Sequence, residues 1–291
     1  TPAATDSSES GHSFPLIALW TRHVKTGDDA KVDSSYLSDM TWLENLEHDQ
    51  TLGKKRLAAL LDPDDLPSGR EWLRFLDRLQ NSTVTDIFIG GSLLIKQNVG
   101  DIIQTVRERF DGPITIFPGA PDQVVKGADA LLFLSLISGR NPDLLIGRHV
   151  EAAMRIRRMG LEIVPTGYML FGNGPLTTAA YMSQTLPIPL NKPEIAAATA
   201  VAGEMLGLRV LFTDAGSGAS QSITASIMAG IRENTSCPLI VGGGFNDAAS
   251  IQAAWNAGAD LVVIGNAIEK QPNDLSWLPD PNDFSKASRL V

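Results

Sequence analysis

Cysteine is nearly absent: Cys237 is the single one in 291 residues. That excludes an intramolecular disulfide and any zinc centre built from several thiolates. Basic residues are in deficit, 24 Lys and Arg against 33 Asp and Glu, for a net charge of −9. Nucleic-acid binding needs a broad basic surface that displaces counterions, so no nucleic-acid partner is expected. A local anion site stays open, because backbone N–H groups supply positive potential without any Lys or Arg. No apolar run approaches the roughly 18 residues of a membrane span; the densest, Ala128 to Ile137, suits a buried strand. The first residues are polar and acidic and resemble no signal peptide, so the expectation is a soluble, cytoplasmic protein.

What is present is a globular composition, 43% hydrophobic and 20% charged, in a chain long enough for one large α/β barrel. Residues 1–13, rich in Ser, Thr and acidic groups, read as a disordered tail. Residues 14–56 read as an N-terminal extension that Trp20, Tyr36, Trp42 and Leu46 pin onto a domain. Residues 271–291 read as a C-terminal tail. Between them, over 57–270, short apolar runs alternate with amphipathic stretches. The runs are 57–61, 86–90, 114–117, 130–136, 162–166, 209–213, 238–242 and 261–265. Uninterrupted apolar runs of this length are parallel strands covered on both faces. Helical periodicity marks Pro142–Met159, Lys192–Leu206, Ala219–Glu233 and Asp247–Ala257. Eight strand–helix units predict a TIM (β/α)8 barrel, with a doubly wound open sheet as the competing architecture. The connection from Phe117 to Ala128 is short enough that the helix after the third strand is degraded or missing.

Active residues of such a barrel lie just beyond the strands. Beyond the sixth stands Asp214-Ala215-Gly216-Ser217-Gly218, beyond the seventh Gly242-Gly243-Gly244, and beyond the eighth Gly265-Asn266. Three glycine loops in succession let backbone approach an anion closely, which predicts a phosphate-bearing ligand. The first strand ends in Asp62-Pro63-Asp64-Asp65 and the second in Gly90-Gly91-Ser92. Carboxylate and hydroxyl oxygens are hard donors suited to magnesium shared with a substrate phosphate, so these two strand ends are the candidate metal site. The alternative is that Asp62 caps the next helix and Asp64 and Asp65 are solvated. Asp214 beside a phosphate is better placed to take a proton from a hydroxyl than to hold the anion. Phe133, Tyr168, Met169 and Phe171 are candidates for an apolar trough. None of the four histidines ends a strand, His149 reads as structural, and no histidine-based triad is visible.

Together these stretches resemble the geranylgeranylglyceryl phosphate synthase family of TIM-barrel prenyltransferases. The resemblance rests on LLDPDD (60–65), FIGGS (88–92), IFPGAPDQV (116–124), PTGYML (165–170), PIPLNKPEIAAATAVAGEMLGL (187–208), DAGSGA (214–219), PLIVGGGF (238–245) and ADLVVIGNAIE (259–269). It implies magnesium-dependent ether formation between an allylic prenyl diphosphate and the hydroxyl of a three-carbon phosphate. It also implies a homodimer, and a lipid-like product implies transient membrane contact. Asp62 and Ser92 then hold metal and diphosphate, and Phe212, Thr213, Gly216, Ser217, Gly218, Gly243, Gly244, Gly265, Asn266 and Tyr168 hold the acceptor. The family usually reads Tyr-Leu-Glu-Ala-Gly-Ser-Gly where this chain has Phe212-Thr213-Asp214-Ala215-Gly216-Ser217-Gly218. That departure, with the N-terminal extension, points first to a divergent moenomycin-biosynthesis branch that joins farnesyl diphosphate to 3-phosphoglycerate. The alternative is a glyceryl phosphate synthase acting on sn-glycerol 1-phosphate. A catalytically silent prenyl-phosphate binder and a phosphosugar isomerase are the readings from other classes.

Overall fold

The computed structural model describes residues 40–95, 98–174, 177–217, 219, 221–284 and the backbone of 285–287. The expected tail at 1–13, the extension as far as 39, and Gly218 lie outside them.

Eight parallel strands close into a barrel in sequence order: β1 (Arg56–Leu61), β2 (Asp86–Ile89), β3 (Ile114–Ile116), β4 (Ala130–Leu136), β5 (Glu162–Leu170), β6 (Val210–Asp214), β7 (Leu239–Gly242) and β8 (Leu261–Ile264). β8 returns to pair with β1, Ala58 lying opposite Val263. β2, β3, β6, β7 and β8 are buried at every position, while β1, β4 and β5 include half-buried positions and an exposed Ile163 in β5. Inward-facing Ala58, Phe88, Ala130, Leu132, Val164, Val210, Phe212, Ile240 and Leu261 fill the interior. Outward-facing side chains pack against the surrounding helices.

The ring of helices is incomplete where the sequence is short. β1, β2 and β4 to β7 are followed by α2 (Gly69–Gln80), α3 (Val99–Arg107), α4 (Arg148–Arg157), α5 and α6 (Thr178–Ser183, Pro193–Met205), α7 (Ala225–Asn234) and α8 (Ala248–Asn256). β8 runs into the short α9 (Asn266–Lys270). After β3 the chain makes only a 3-10 turn, Pro121–Gln123, before β4 begins. The missing helix leaves an opening on the flank of the barrel.

Helix α1 (Trp42–Thr51) precedes the barrel and stoppers its lower end. Its Trp42, Leu43 and Leu46 join the interior cluster, and the Trp42 ring meets Phe88 edge-on at 6.1 Å. Two of its unpaired first-turn N–H groups, on Trp42 and Leu43, donate to the Glu162 carboxylate at the start of β5. The stretch read as a C-terminal tail is built in as far as it is described. Leu275 and Leu278 are buried, α10 (Pro281–Ala287) follows, and Phe284 packs on Trp255. Among the described residues no helix is long and apolar enough to cross a membrane.

Candidate active site

One cavity of about 630 Å³ opens at the C-terminal end of the strands. Loops from β1, β2, β6, β7 and β8 form its rim, and an arm passes over β3 and β4 through the gap left by the absent helix. Asp62, Ser92, Tyr168, Phe212, Asp214, Gly216, Ser217, Gly243, Gly244, Gly265 and Asn266 all line it. Thr213 does not. Strand alternation turns it the other way, and its buried hydroxyl donates to the Ile240 carbonyl.

At the β1–β2 side, Asp62 Oδ1 accepts the Asp64 N–H at 3.1 Å in a local turn. This is not the helix cap of the alternative, since α2 starts at Gly69 with Ser68 as its N-cap, and it leaves Oδ2 outside the turn. Asp64 is not simply solvated: its Oδ2 accepts the Ile95 N–H at 2.6 Å. The carboxylate of Asp62 lies hard against Gly91, where a β-carbon would come within 2.4 Å of Oδ2. Burial and the charges of Asp65 and Asp64 raise the Asp62 pKa, against the stabilising bond from the Asp64 N–H. Glu269 on the short helix α9 stands close by, its Oε1 accepting the Asp62 N–H at 3.4 Å. Burial, then the charges of Asp65 and Asp62, push its pKa up to about 7. Among the described residues no three His, Cys, Asp or Glu side chains form a metal-holding group. The donor set still suits magnesium, which takes one or two protein oxygens and fills its remaining positions with substrate phosphate and water.

At the β6–β8 side the glycine loops meet. Gly243 and Gly244 hold φ of +85° and +77°, a region that an L side chain rarely adopts. A β-carbon on Gly243 would also sit 2.9 Å from Asp214 Oδ1. Ser217 donates to Asn266 Oδ1 at 2.9 Å, a pairing that leaves the Asn266 amide N–H groups as donors. The first turn of α8 is already capped by Asp247, whose Oδ1 accepts the Ser250 N–H. An anion here faces loop backbone, Ser217 and Asn266, and not that helix start.

Asp214 belongs to this same end, paired with Gly242 across β6 and β7. It is only 9% exposed, with Oδ1 accepting the Gly216 N–H at 2.7 Å and Oδ2 accepting the Tyr168 hydroxyl at 2.5 Å. Burial raises its pKa, and the two donated hydrogen bonds work against that. Burial likewise lifts the Tyr168 phenol well above its ordinary value, helped by the neighbouring carboxylate.

The arm is apolar, lined by Phe117, Leu131, Phe133, Ala152 and Ile156. Phe133 belongs to it, as the sequence suggested. Met169 and Phe171 are packed into the outer core instead, 0% and 1% exposed. His149 stands in the arm's wall, its ring edge-on to Phe133 at 4.5 Å and its Nε2 3.3 Å from Ser135 Oγ. Burial lowers its pKa, which favours the neutral ring. Sequence reasoning missed Phe117, Glu269 and the cavity role of His149. The FPGAP run was the one signal for Phe117.

Comparison with known proteins follows this geometry. The model of the PcrB family matches residues 50–277. The chain is 45% identical over 228 residues to the geranylgeranylglyceryl phosphate synthase of Chitinophaga pinensis, covering 78% of this chain and 90% of that one. It is 36% identical over 223 residues to the enzyme of the same name from Pyrococcus furiosus, covering 76% and 87%. Among solved structures, (S)-3-O-geranylgeranylglyceryl phosphate synthase of Thermoplasma acidophilum, in complex with sn-glycerol-1-phosphate, superposes with a TM-score of 0.75. It is 25% identical, over 87% of this chain and 100% of that chain. A family match across more than three quarters of the sequence, on the same closed barrel, places this chain in the PcrB family.

Proposed function

We propose that this prenyltransferase joins an allylic prenyl diphosphate to a hydroxyl of sn-glycerol 1-phosphate, forming an ether and releasing diphosphate. The observation that carries the reading is the position of Asp214. Its buried, doubly hydrogen-bonded carboxylate stands beside the Gly243 loop, in the same cavity that Asp62 lines. Glycerol phosphate bound at Gly243, Gly244, Ser217 and Asn266 presents its hydroxyl to Asp214, which takes the proton as the ether bond forms. The donor lays its diphosphate at Asp62 and Ser92 and its tail along the apolar arm, which keeps water from the reacting carbon. Magnesium, when bound with the diphosphate, supplies positive charge to the leaving group.

The first expectation from the sequence, farnesyl diphosphate with 3-phosphoglycerate in a moenomycin-type pathway, gains no support. Relatives aligned over about nine tenths of their length carry the glyceryl phosphate name. The change from Glu to Asp at position 214 is then a shortening that the Tyr168 hydroxyl bond accompanies, with no new acceptor required. Homodimerisation and passing contact with a bilayer, where the exposed Leu93 and Ile95 beyond Ser92 offer an apolar path for the product, belong to the same proposal.

A competition assay tests it. The protein is given magnesium, farnesyl and geranylgeranyl diphosphates, and equal sn-glycerol 1-phosphate and 3-phosphoglycerate, and products are weighed by mass spectrometry. Prenylated glycerol phosphate is the expected product. Prenylated phosphoglycerate in its place would restore the divergent reading, and no product at all would favour a binding-only protein.

A further inference from the structure

The top of the barrel interior is not uniformly aliphatic. Four partly buried side chains form its upper layer, Leu60, Phe117, Leu134 and Tyr168, and all four line the cavity. Phe117 stacks on the fully buried Phe212, with ring centroids 5.0 Å apart and planes 20° from parallel. Tyr168 meets both rings edge-on, at 5.7 Å from Phe117 and 5.5 Å from Phe212. One face of Phe117 is therefore taken by Phe212, Tyr168 stands across both rings, and the partly buried Phe117 ring still lines the cavity. The backbone beneath it is equally constrained. The Phe117 N–H donates to the Ile89 carbonyl, and Gly90 passes so near that a β-carbon there would overlap the Phe117 carbonyl.

We propose that Phe117 is a catalytic residue, its ring stabilising the positive charge that develops on the allylic carbon. The inference rests on the ether-forming reaction proposed above. In that reaction the bond from carbon 1 to the diphosphate oxygen breaks, and its electron pair leaves with the diphosphate. A lone pair of the acceptor hydroxyl then forms the new carbon–oxygen bond, and the hydroxyl proton passes to Asp214. While the first bond is largely broken and the second barely made, carbon 1 and its allylic partner carry positive charge. That carbon must lie between the Asp62 end and the Asp214 end, with its tail entering the arm over β3. Phe117 ends β3 at the root of the arm, under that path. An aromatic face attracts a nearby cation through its negative quadrupole, most strongly where water is excluded. Of the other members of the layer, Leu60 and Leu134 offer no such face, and Tyr168 stands across Phe117 with its hydroxyl committed to Asp214.

The test replaces Phe117 in the full-length protein with 4-fluoro-, 3,5-difluoro- and 3,4,5-trifluorophenylalanine. The rings are nearly the same size, but each fluorine withdraws charge from the ring face. Rates are read in single turnover with magnesium, a prenyl diphosphate and sn-glycerol 1-phosphate, and thermal melts confirm folding. The expected result is a stepwise fall, about tenfold from phenylalanine to the trifluoro ring, with the KM for donor unchanged. Phe117→Leu is expected to lose as much. A rate that is flat across the fluorinated series overturns the proposal, even if Phe117→Leu is slow, because shape alone would then account for the residue. A wild-type protein that makes no prenyl ether overturns the reaction itself, and this assignment with it.

Discussion

Tyr168 and Asp214 are joined side chain to side chain across neighbouring strands, the phenol donating to Oδ2 at 2.5 Å. With the Gly216 N–H on Oδ1, both oxygens of a buried carboxylate are held in place. The arrangement sets the two demands on a general base, position and ionisation, against each other. Burial drives the Asp214 pKa up and the two donated bonds pull it back. Removing either bond therefore favours the protonated form.

Tyr168→Phe is expected to shift the acid limb of the kcat/KM profile to higher pH, because the protein then loses a donor that favours the ionised base. A limb that stays in place while the rate drops would mean that Tyr168 acts only through packing. Asp214→Asn is expected to lower kcat by about 10²- to 10⁴-fold, the usual range for a general base, with a melting temperature close to that of the parent.

At the other end of the cavity, Gly91 is the point of greatest constraint. A methyl group there would stand 2.4 Å from Asp62 Oδ2, so the carboxylate must swing aside. It is the end of a rotatable side chain, and the fold should survive. Gly91→Ala is expected to raise the magnesium and donor concentrations needed for half-maximal rate by roughly tenfold. The KM for the acceptor should not change. Equal changes in all three constants would argue against a donor-specific role for Asp62.

Much of this was legible in the chain, for identifiable reasons. The eight apolar runs fall on the eight strands because a barrel strand is covered on both faces, so burial writes itself as an unbroken run. β5 is the exception. It continues to Leu170, where the sequence suggested an end at residue 166, because Gly167 and Tyr168 interrupt the run without interrupting the pairing with β6. The absent helix after β3 was visible as a short connection. Asp214 and the glycine loops were read from position beyond the strands, and Phe212, Thr213 and Tyr168 from the family resemblance. Thr213 was not separable from Asp214 without the phase of strand alternation. Phe117 and Glu269 were missed because their importance comes from what the fold sets beside them, Phe212 and Asp62, far away in sequence. Trp42 and Leu46 were legible as residues that pin the extension to the domain, but the helix that carries them and its place as a stopper were not.

Glu269 supplies a pH-dependent signature. Its pKa in the fold, about 7, lies above the ordinary carboxylate value of 4.5. Between those values the folded protein holds a proton that the unfolded chain releases, so this group's contribution makes stability fall as pH rises, levelling above about pH 7. Glu269→Gln should melt with the parent near pH 4.5 and above it at pH 8. Allowing for the screening of a partly exposed group, the gain is about 1 kcal/mol, or about 2–4 °C. Magnesium should close part of that gap, since a cation at Asp62 offsets the same repulsion. A variant that is less stable at pH 8 would show that the bond to the Asp62 N–H outweighs the charge.

Trp42 tests whether the barrel's lower end serves stability alone. Its indole fills the bottom of the interior at 5% exposure and donates to Asp86 Oδ1 at 2.8 Å. Asp86 is fully buried and keeps Arg56 and Thr85 as partners when the indole is removed. Trp42→Phe retains the apolar contact with Phe88 and is expected to cost about 1–2 kcal/mol for the lost hydrogen bond. Trp42→Ala opens a cavity at the mouth of the interior and is expected to cost about 3–5 kcal/mol, lowering the melting temperature by roughly 10 °C. Because α1 meets the barrel at the end opposite Asp214, both variants should keep the parental rate at 25 °C within about twofold, below the tenfold that 1.36 kcal/mol of barrier represents. A variant that keeps its melting temperature and loses activity would show instead that the stopper is coupled to the site through the interior layers, of which Phe88 is the first member and Phe117 the last.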